Sequence, residues 1–162
     1  VAGLLEPSCG ERHIGSSRLG YAFQQPRLLP WRSVWENLSL ALSGWLPAGE
    51  ADAAAATWLE RFGLAEIMEK RPAELSGGMA RRANLARAFA VAPEILLLDE
   101  PFAFLDAAAA DGVRQAIREA NDGGVTVLLV SHMREAIEPL TSDIVCIGSM
   151  PIRVQATFPA RS

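Results

Sequence analysis

The chain has 162 residues, half of them hydrophobic and 21% charged, with a formal net charge of -4. That length suits one domain, and the acidic balance excludes a nucleic-acid surface, which needs clustered Lys and Arg. No apolar run reaches the roughly 18–20 residues that span a bilayer, and the two cysteines, Cys9 and Cys146, lack metal-ligand spacing.

In chain order, residues 11–14 and 19–23 read as strands, the second followed by Gln24. Residues 33–42 form a short helix with Ser33 as N-cap and Glu36 completing a capping box. Residues 44–49, with Pro47, form a loop. Residues 50–62 form an alanine-rich helix whose apolar face carries Trp58, Leu59 and Phe62. Helical character continues over 64–69 and ends at Pro72. Ser76-Gly77-Gly78 then opens a helix, rich in good helix formers, that runs towards Ala92 and stops at Pro93. Its Arg81-Arg82 pair reads as a solvated face.

Residues 95–98, Ile-Leu-Leu-Leu, are an unbroken apolar segment, the mark of a strand buried on both faces. Asp99 and Glu100 follow, and Pro101 breaks the strand. Residues 107–120 are a helix, 121–124 a turn, and 125–130 a β-branched strand ending at Ser131-His132. A helix over 134–138 is cut by Pro139. Residues 144–147, with Cys146 as a small buried hydrophobe, and 152–156 are terminal strands, with 148–151 between them. Such alternation indicates a mostly parallel sheet with helices on its faces, and ligands of such sheets bind outside the carboxyl ends of the strands. Asp99 and Glu100 stand there.

Alone, a Gly-Gly pair is a turn and two acids after a strand are loop residues. Together, the stretch LSGGMARRANLARAFAVAPEILLLDEPFAFLD, residues 75–106, resembles the signature motif (LSGGQ in its commonest form) and the Walker B motif of ATP-binding-cassette (ABC) ATPases. Gln24, in YAFQQPRLLPW, fits that family's Q-loop glutamine better than its neighbour Gln25. His132 fits the switch histidine, and Leu105-Asp106 resemble the D-loop. The four main motifs stand in the family's order. The LLPW segment is similar to importers of the nitrate, sulfonate and taurine group.

The resemblance implies a P-loop NTPase-like three-layer α/β core with a mostly parallel sheet, spanning 1–162, and a small helical subdomain over roughly 33–75. It implies an ATPase with ATP and Mg2+ as cofactors. Asp99 and Gln24 would serve the metal, Glu100 would polarise the attacking water, and His132 would hold that water and the terminal phosphate in register. Ser76, Gly77, Gly78 and Asp106 would reach ATP across a dimer, because a helix amino terminus attracts phosphate. Met79, Phe104 and Met133 depart from the commonest residues at their positions.

The family's phosphate-binding loop, G-x-x-x-x-G-K-[ST], does not occur in these 162 residues, and the expectation is of a domain incomplete at its amino terminus. The implied partners are transmembrane permease subunits, a second ATPase subunit and, indirectly, a solute-binding protein, with no nucleic acid. The implied place is the cytoplasmic face of the plasma membrane, peripheral through the permease. Two other readings are weighed: a non-catalytic module lending its signature face to an intact partner, and a chromosome-maintenance or DNA-repair ATPase head. No heptad run supports the latter, and LLPW favours transport.

Overall fold

The computed structural model describes residues 10, 11, 15 and 18–147 and the strand at 154–159. The segment 12–14 of the first expected strand and the link at 148–151 lie outside the described residues. The chain divides into two units, 1–130 and 131–162, and each is taken by itself.

In the first unit β1 (Leu19–Ala22), β2 (Ile95–Asp99) and β3 (Thr126–Val130) form a parallel sheet in the order β1-β2-β3. Leu19 pairs with Ile95, and Leu98 with both Ala22 and Leu129, so β2 is central. Leu96 and Leu98 point to one face of β2 and Leu97 to the other. All three are buried, which is why this strand is apolar without alternation. The expected three-layer core thus has its centre in β2. The third strand is less covered than its β-branched sequence implied: Leu128 and Val130 are 44% and 57% exposed.

Helix α3 (Gly77–Ala90) packs on β1 and β2, and α4 (Ala107–Asp122) packs on β3. The α3 contact is close because residue 20 is glycine: a Cβ there would stand 2.3 Å from the Ala88 carbonyl oxygen. Backbone cannot yield as a flexible side chain does, so Gly20→Ala should destabilise the unit by about 1–3 kcal/mol or more. Chemical denaturation of the two proteins side by side checks this. The expectation that α3 runs to Ala92 is corrected by two residues: the helix ends at Ala90, and Ala92 takes φ 46°. Ala92 precedes Pro93, whose ring disfavours helical backbone in the residue before it.

Helices α1 (Val34–Leu42) and α2 (Ala48–Arg61), which fall in the range expected for a helical subdomain, pack on each other and on α3. The capping box forms: the Glu36 N–H donates to Ser33 Oγ at 3.1 Å, and the Ser33 N–H donates to Glu36 Oε2 at 2.7 Å. That backbone bond, with help from Arg32, holds the Glu36 carboxyl below its usual range. The loop before α2 is shorter than expected, because Pro47 takes the N-cap position, where its missing N–H costs nothing, and Ala48 and Gly49 are helical. Leu59 and Phe62 are buried, and Trp58 stacks on Phe89 with ring centroids 5.9 Å apart. Continued helix over 64–69 is not found. The segment holds one 3-10 turn, Ala65–Ile67, and Pro72 opens another, Pro72–Glu74, rather than ending a helix.

The second unit holds the short helix α5 (Arg134–Ile137), a 3-10 turn at Glu138–Leu140 containing Pro139, and an antiparallel pair, β4 (Asp143–Ile147) with β5 (Val154–Pro159). β5 runs on past the expected end at 156 to Pro159, and residues 152 and 153 lie outside the described residues. Two antiparallel strands leave a face open: Ile144 is buried while Val145 is exposed, and Cys146 is half-buried rather than fully enclosed.

Candidate functional site

The carboxyl end of β2 carries the acids. Asp99 is its last residue, and Glu100 follows with φ 50°. Both are half-buried. A left-handed backbone costs a non-glycine residue roughly 1–2 kcal/mol, and such strain concentrates at functional sites. The Glu100 N–H donates to the Val130 carbonyl at 2.9 Å, which anchors this conformation to the end of β3. Pro101 and Phe102 are buried beneath the turn that follows. Phe104 is again left-handed, at φ 64°, and the residue is 81% exposed.

Ser76 caps α3, with Oγ accepting the Met79 N–H at 3.2 Å and its own O–H left to donate. Gly77 and Gly78 are the first two helical residues, whose N–H groups have no partner within the helix. A Cβ on Gly78 would lie 2.8 Å from the Phe104 carbonyl oxygen. The second glycine therefore lets the turn after Asp99 and Glu100 close onto the α3 amino terminus, and the two motifs are brought together. Asp106 caps α4, its Oδ1 accepting the Ala109 N–H at 2.8 Å, so its side chain already has a structural task.

Gln24 is exposed just beyond β1, and α3 holds the backbone around it. Arg81 Nη1 donates to the Phe23 carbonyl at 2.7 Å and to the Asp99 carbonyl at 3.4 Å, and Nη2 donates to the Gln24 carbonyl. Asn84 Nδ2 donates to Phe23 at 2.8 Å. Arg87 reaches the carbonyls of Pro26 and Arg27 at 3.0 and 2.9 Å. Reading Arg81-Arg82 as a solvated face is thus wrong for Arg81, which is 1% exposed. Arg82 lies at the helix margin, bonded to the carbonyls of Phe62 and Gly63. Burial pulls the Arg81 guanidinium below its ordinary pKa, while Asp99 and Glu100 push it back up; burial also lowers Arg87. Spacing could have revealed this face: Arg81, Asn84 and Arg87 recur every third residue among alanines.

His132 lies in the second unit, exposed, two residues beyond β3, where Ser131 Oγ accepts the Met133 N–H at 3.1 Å. Among the described residues no group of three or more His, Cys, Asp or Glu could hold a metal ion. A single carboxylate such as Asp99 suits Mg2+, which keeps most of its waters and takes its remaining ligands from phosphate.

Residues 4–103 match the ABC transporter family. The chain belongs to that family. It is 43% identical over 141 residues to the aliphatic sulfonates import ATP-binding protein SsuB 2 of Pseudomonas fluorescens, covering 82% of this chain and 50% of that protein. It is 38% identical to the uncharacterized ABC transporter ATP-binding protein YtlC of Bacillus subtilis, covering 98% of this chain and 64% of that one. The ATP-binding cassette MJ0796, solved as a dimer in a post-hydrolysis state bound to ADP and Pi, superimposes with a TM-score of 0.79 at 25% identity, over 90% of this chain and 64% of that one. This ABC chain therefore spans between half and two-thirds of the length of these relatives. Its parallel sheet, covered by α3 and α4, is the P-loop NTPase-like α/β core of ABC cassettes.

Proposed function

We propose that this chain forms part of the ATP-hydrolysing subunit of an ABC importer for a small solute of the sulfonate, nitrate or taurine type. The reading is carried by the strained Glu100 at the end of the central strand, whose following turn closes at Phe104 on the glycine amino terminus of α3. Its chemical class is supported by the likeness to a protein named for aliphatic sulfonate import.

The reaction joins water to the terminal phosphorus of ATP and releases ADP and phosphate. It asks chiefly for positioning and charge stabilisation. Asp99 would hold Mg2+, largely through retained waters, and the ion would neutralise phosphate charge. Glu100, one residue on, accepts the proton of the attacking water. Gln24, on its exposed loop, would orient that water and serve the metal, and the family resemblance alone assigns the contact with the terminal phosphate to His132. Ser76, Gly77 and Gly78 offer N–H and O–H donors to the ATP held by a second copy of the subunit, with Asp106 at the same contact. The second subunit is the same chain in this reading, and a solute-binding protein acts through the permease. Among the described residues no helix is long and apolar enough to cross a membrane. The proposed place, the cytoplasmic face of the plasma membrane through permease subunits, rests on the likeness to import ATP-binding proteins.

Two substitutions in the full-length protein separate these roles. Asp99→Asn should weaken Mg-ATP binding itself. Ser76→Arg should leave each subunit's affinity within about twofold yet cut turnover about a hundredfold or more, because the arginine blocks the reach across the dimer. Equilibrium nucleotide titration beside steady-state phosphate release checks both. If Ser76→Arg weakens binding and turnover in equal measure, the cross-subunit role is wrong.

A further inference from the structure

Arg81 contacts no group assigned to the phosphate chemistry through a side chain, yet it is the bulkiest fully buried side chain among the described residues. A buried cation persists where hydrogen bonds satisfy it. Here all of its bonds go to backbone carbonyls at the carboxyl ends of two neighbouring parallel strands: Phe23 and Gln24 beyond β1, and Asp99 in β2. Its Nε has no partner among the described residues. Because the acceptors are backbone atoms, the contact fixes where the chain runs rather than which side chains it carries. Asn84 and Arg87 also bond the segment 23–27, but of the three Arg81 alone has a bond to β2 as well.

We propose that Arg81 is a positioning residue that ties the backbone of the Gln24 loop to the strand end bearing Asp99 and Glu100, so that a displacement of that loop reaches both carboxylates and the amino terminus of α3. The geometry stands by itself; its consequence for turnover rests on the ATPase reading above. A guanidinium suits the task because its planar fork presents donors to separate acceptors at once, whereas an ammonium is a single point charge. Arg81→Lys therefore keeps the charge and loses the tie. Arg82, bonded to the carbonyls of Phe62 and Gly63, supplies the control Arg82→Lys.

The experiment measures amide hydrogen exchange and ATPase kinetics for the full-length protein, with its permease, as wild type, Arg81→Lys, Arg81→Met and Arg82→Lys. In Arg81→Lys, exchange should rise about tenfold together at 24–27 and 100–105. Its kcat should fall about tenfold while KM for Mg-ATP stays within about twofold. Arg82→Lys should show neither change. A uniform rise in exchange with kcat and KM unaltered would mean a merely structural arginine and overturn the proposal, as would unchanged exchange at both segments. Should Arg81→Met fail to fold, the lysine variant decides. Should the wild type lack ATPase activity, the proposed function fails, and the paired exchange still judges the tie.

Discussion

Glu100→Gln, in a full-length protein paired with its permease, is expected to lower ATP turnover by about a hundredfold to ten-thousandfold, the range that a positioned general base contributes. The amide keeps the shape and hydrogen-bonding reach of the carboxylate but cannot take a proton from water at neutral pH. Removing a negative charge beside the phosphates should favour the bound state, so affinity for ATP is kept or improved, and a nucleotide-sandwiched dimer accumulates. The backbone favours this assignment: Glu100 is held left-handed by its bond to the Val130 carbonyl, whereas Asp99 sits in regular strand. Size-exclusion chromatography with bound-nucleotide analysis, beside phosphate release, reads both effects. Near-normal turnover would transfer the base role to His132 or another group.

Residues 1–162 by themselves should bind Mg-ATP weakly. They contain no G-x-x-x-x-G-K-[ST] loop, whose backbone N–H groups and lysine make charge-assisted hydrogen bonds. At about 1.5–3 kcal/mol each, the lack of three such bonds is on the order of 5 kcal/mol, over a thousandfold in affinity. Joining the chain to the amino-terminal segment of a sulfonate-import relative should restore that factor. Titration calorimetry of the chain and the joined protein makes the comparison, and micromolar binding by 1–162 alone would refute the estimate. Leu128 and Val130 are exposed on β3, and contiguous apolar surface of this kind favours association.

The fold was legible wherever a local rule decided it. The capping box at Ser33 and Glu36, the apolar run of β2 and the glycine start of α3 each formed where their residues implied. Elements whose ends depend on tertiary context moved: α3 ended at Ala90 because Pro93 restricts Ala92, and 64–69 gave one 3-10 turn where helical character was read. The motif residues of the first unit were also legible, because Asp99, Glu100 and the Ser76-Gly77-Gly78 start lie close in sequence and meet through Phe104. What escaped was Arg81. Composition treats an arginine on a helix as solvated, and burial became tolerable only because three carbonyls from segments 18 and more residues away converge on it. The every-third-residue spacing of Arg81, Asn84 and Arg87 marks the face, but the distant carbonyls that meet Arg81 leave no local pattern.

The most direct measurement of the central claim is phosphate release by the full-length protein assembled with its permease in lipid vesicles, with and without a sulfonate and its binding protein. Mg2+-dependent ATP hydrolysis is expected, accelerated by the solute and abolished by Glu100→Gln. Assembled transporter that hydrolyses no ATP, or hydrolyses it equally well with Gln at position 100, would contradict it.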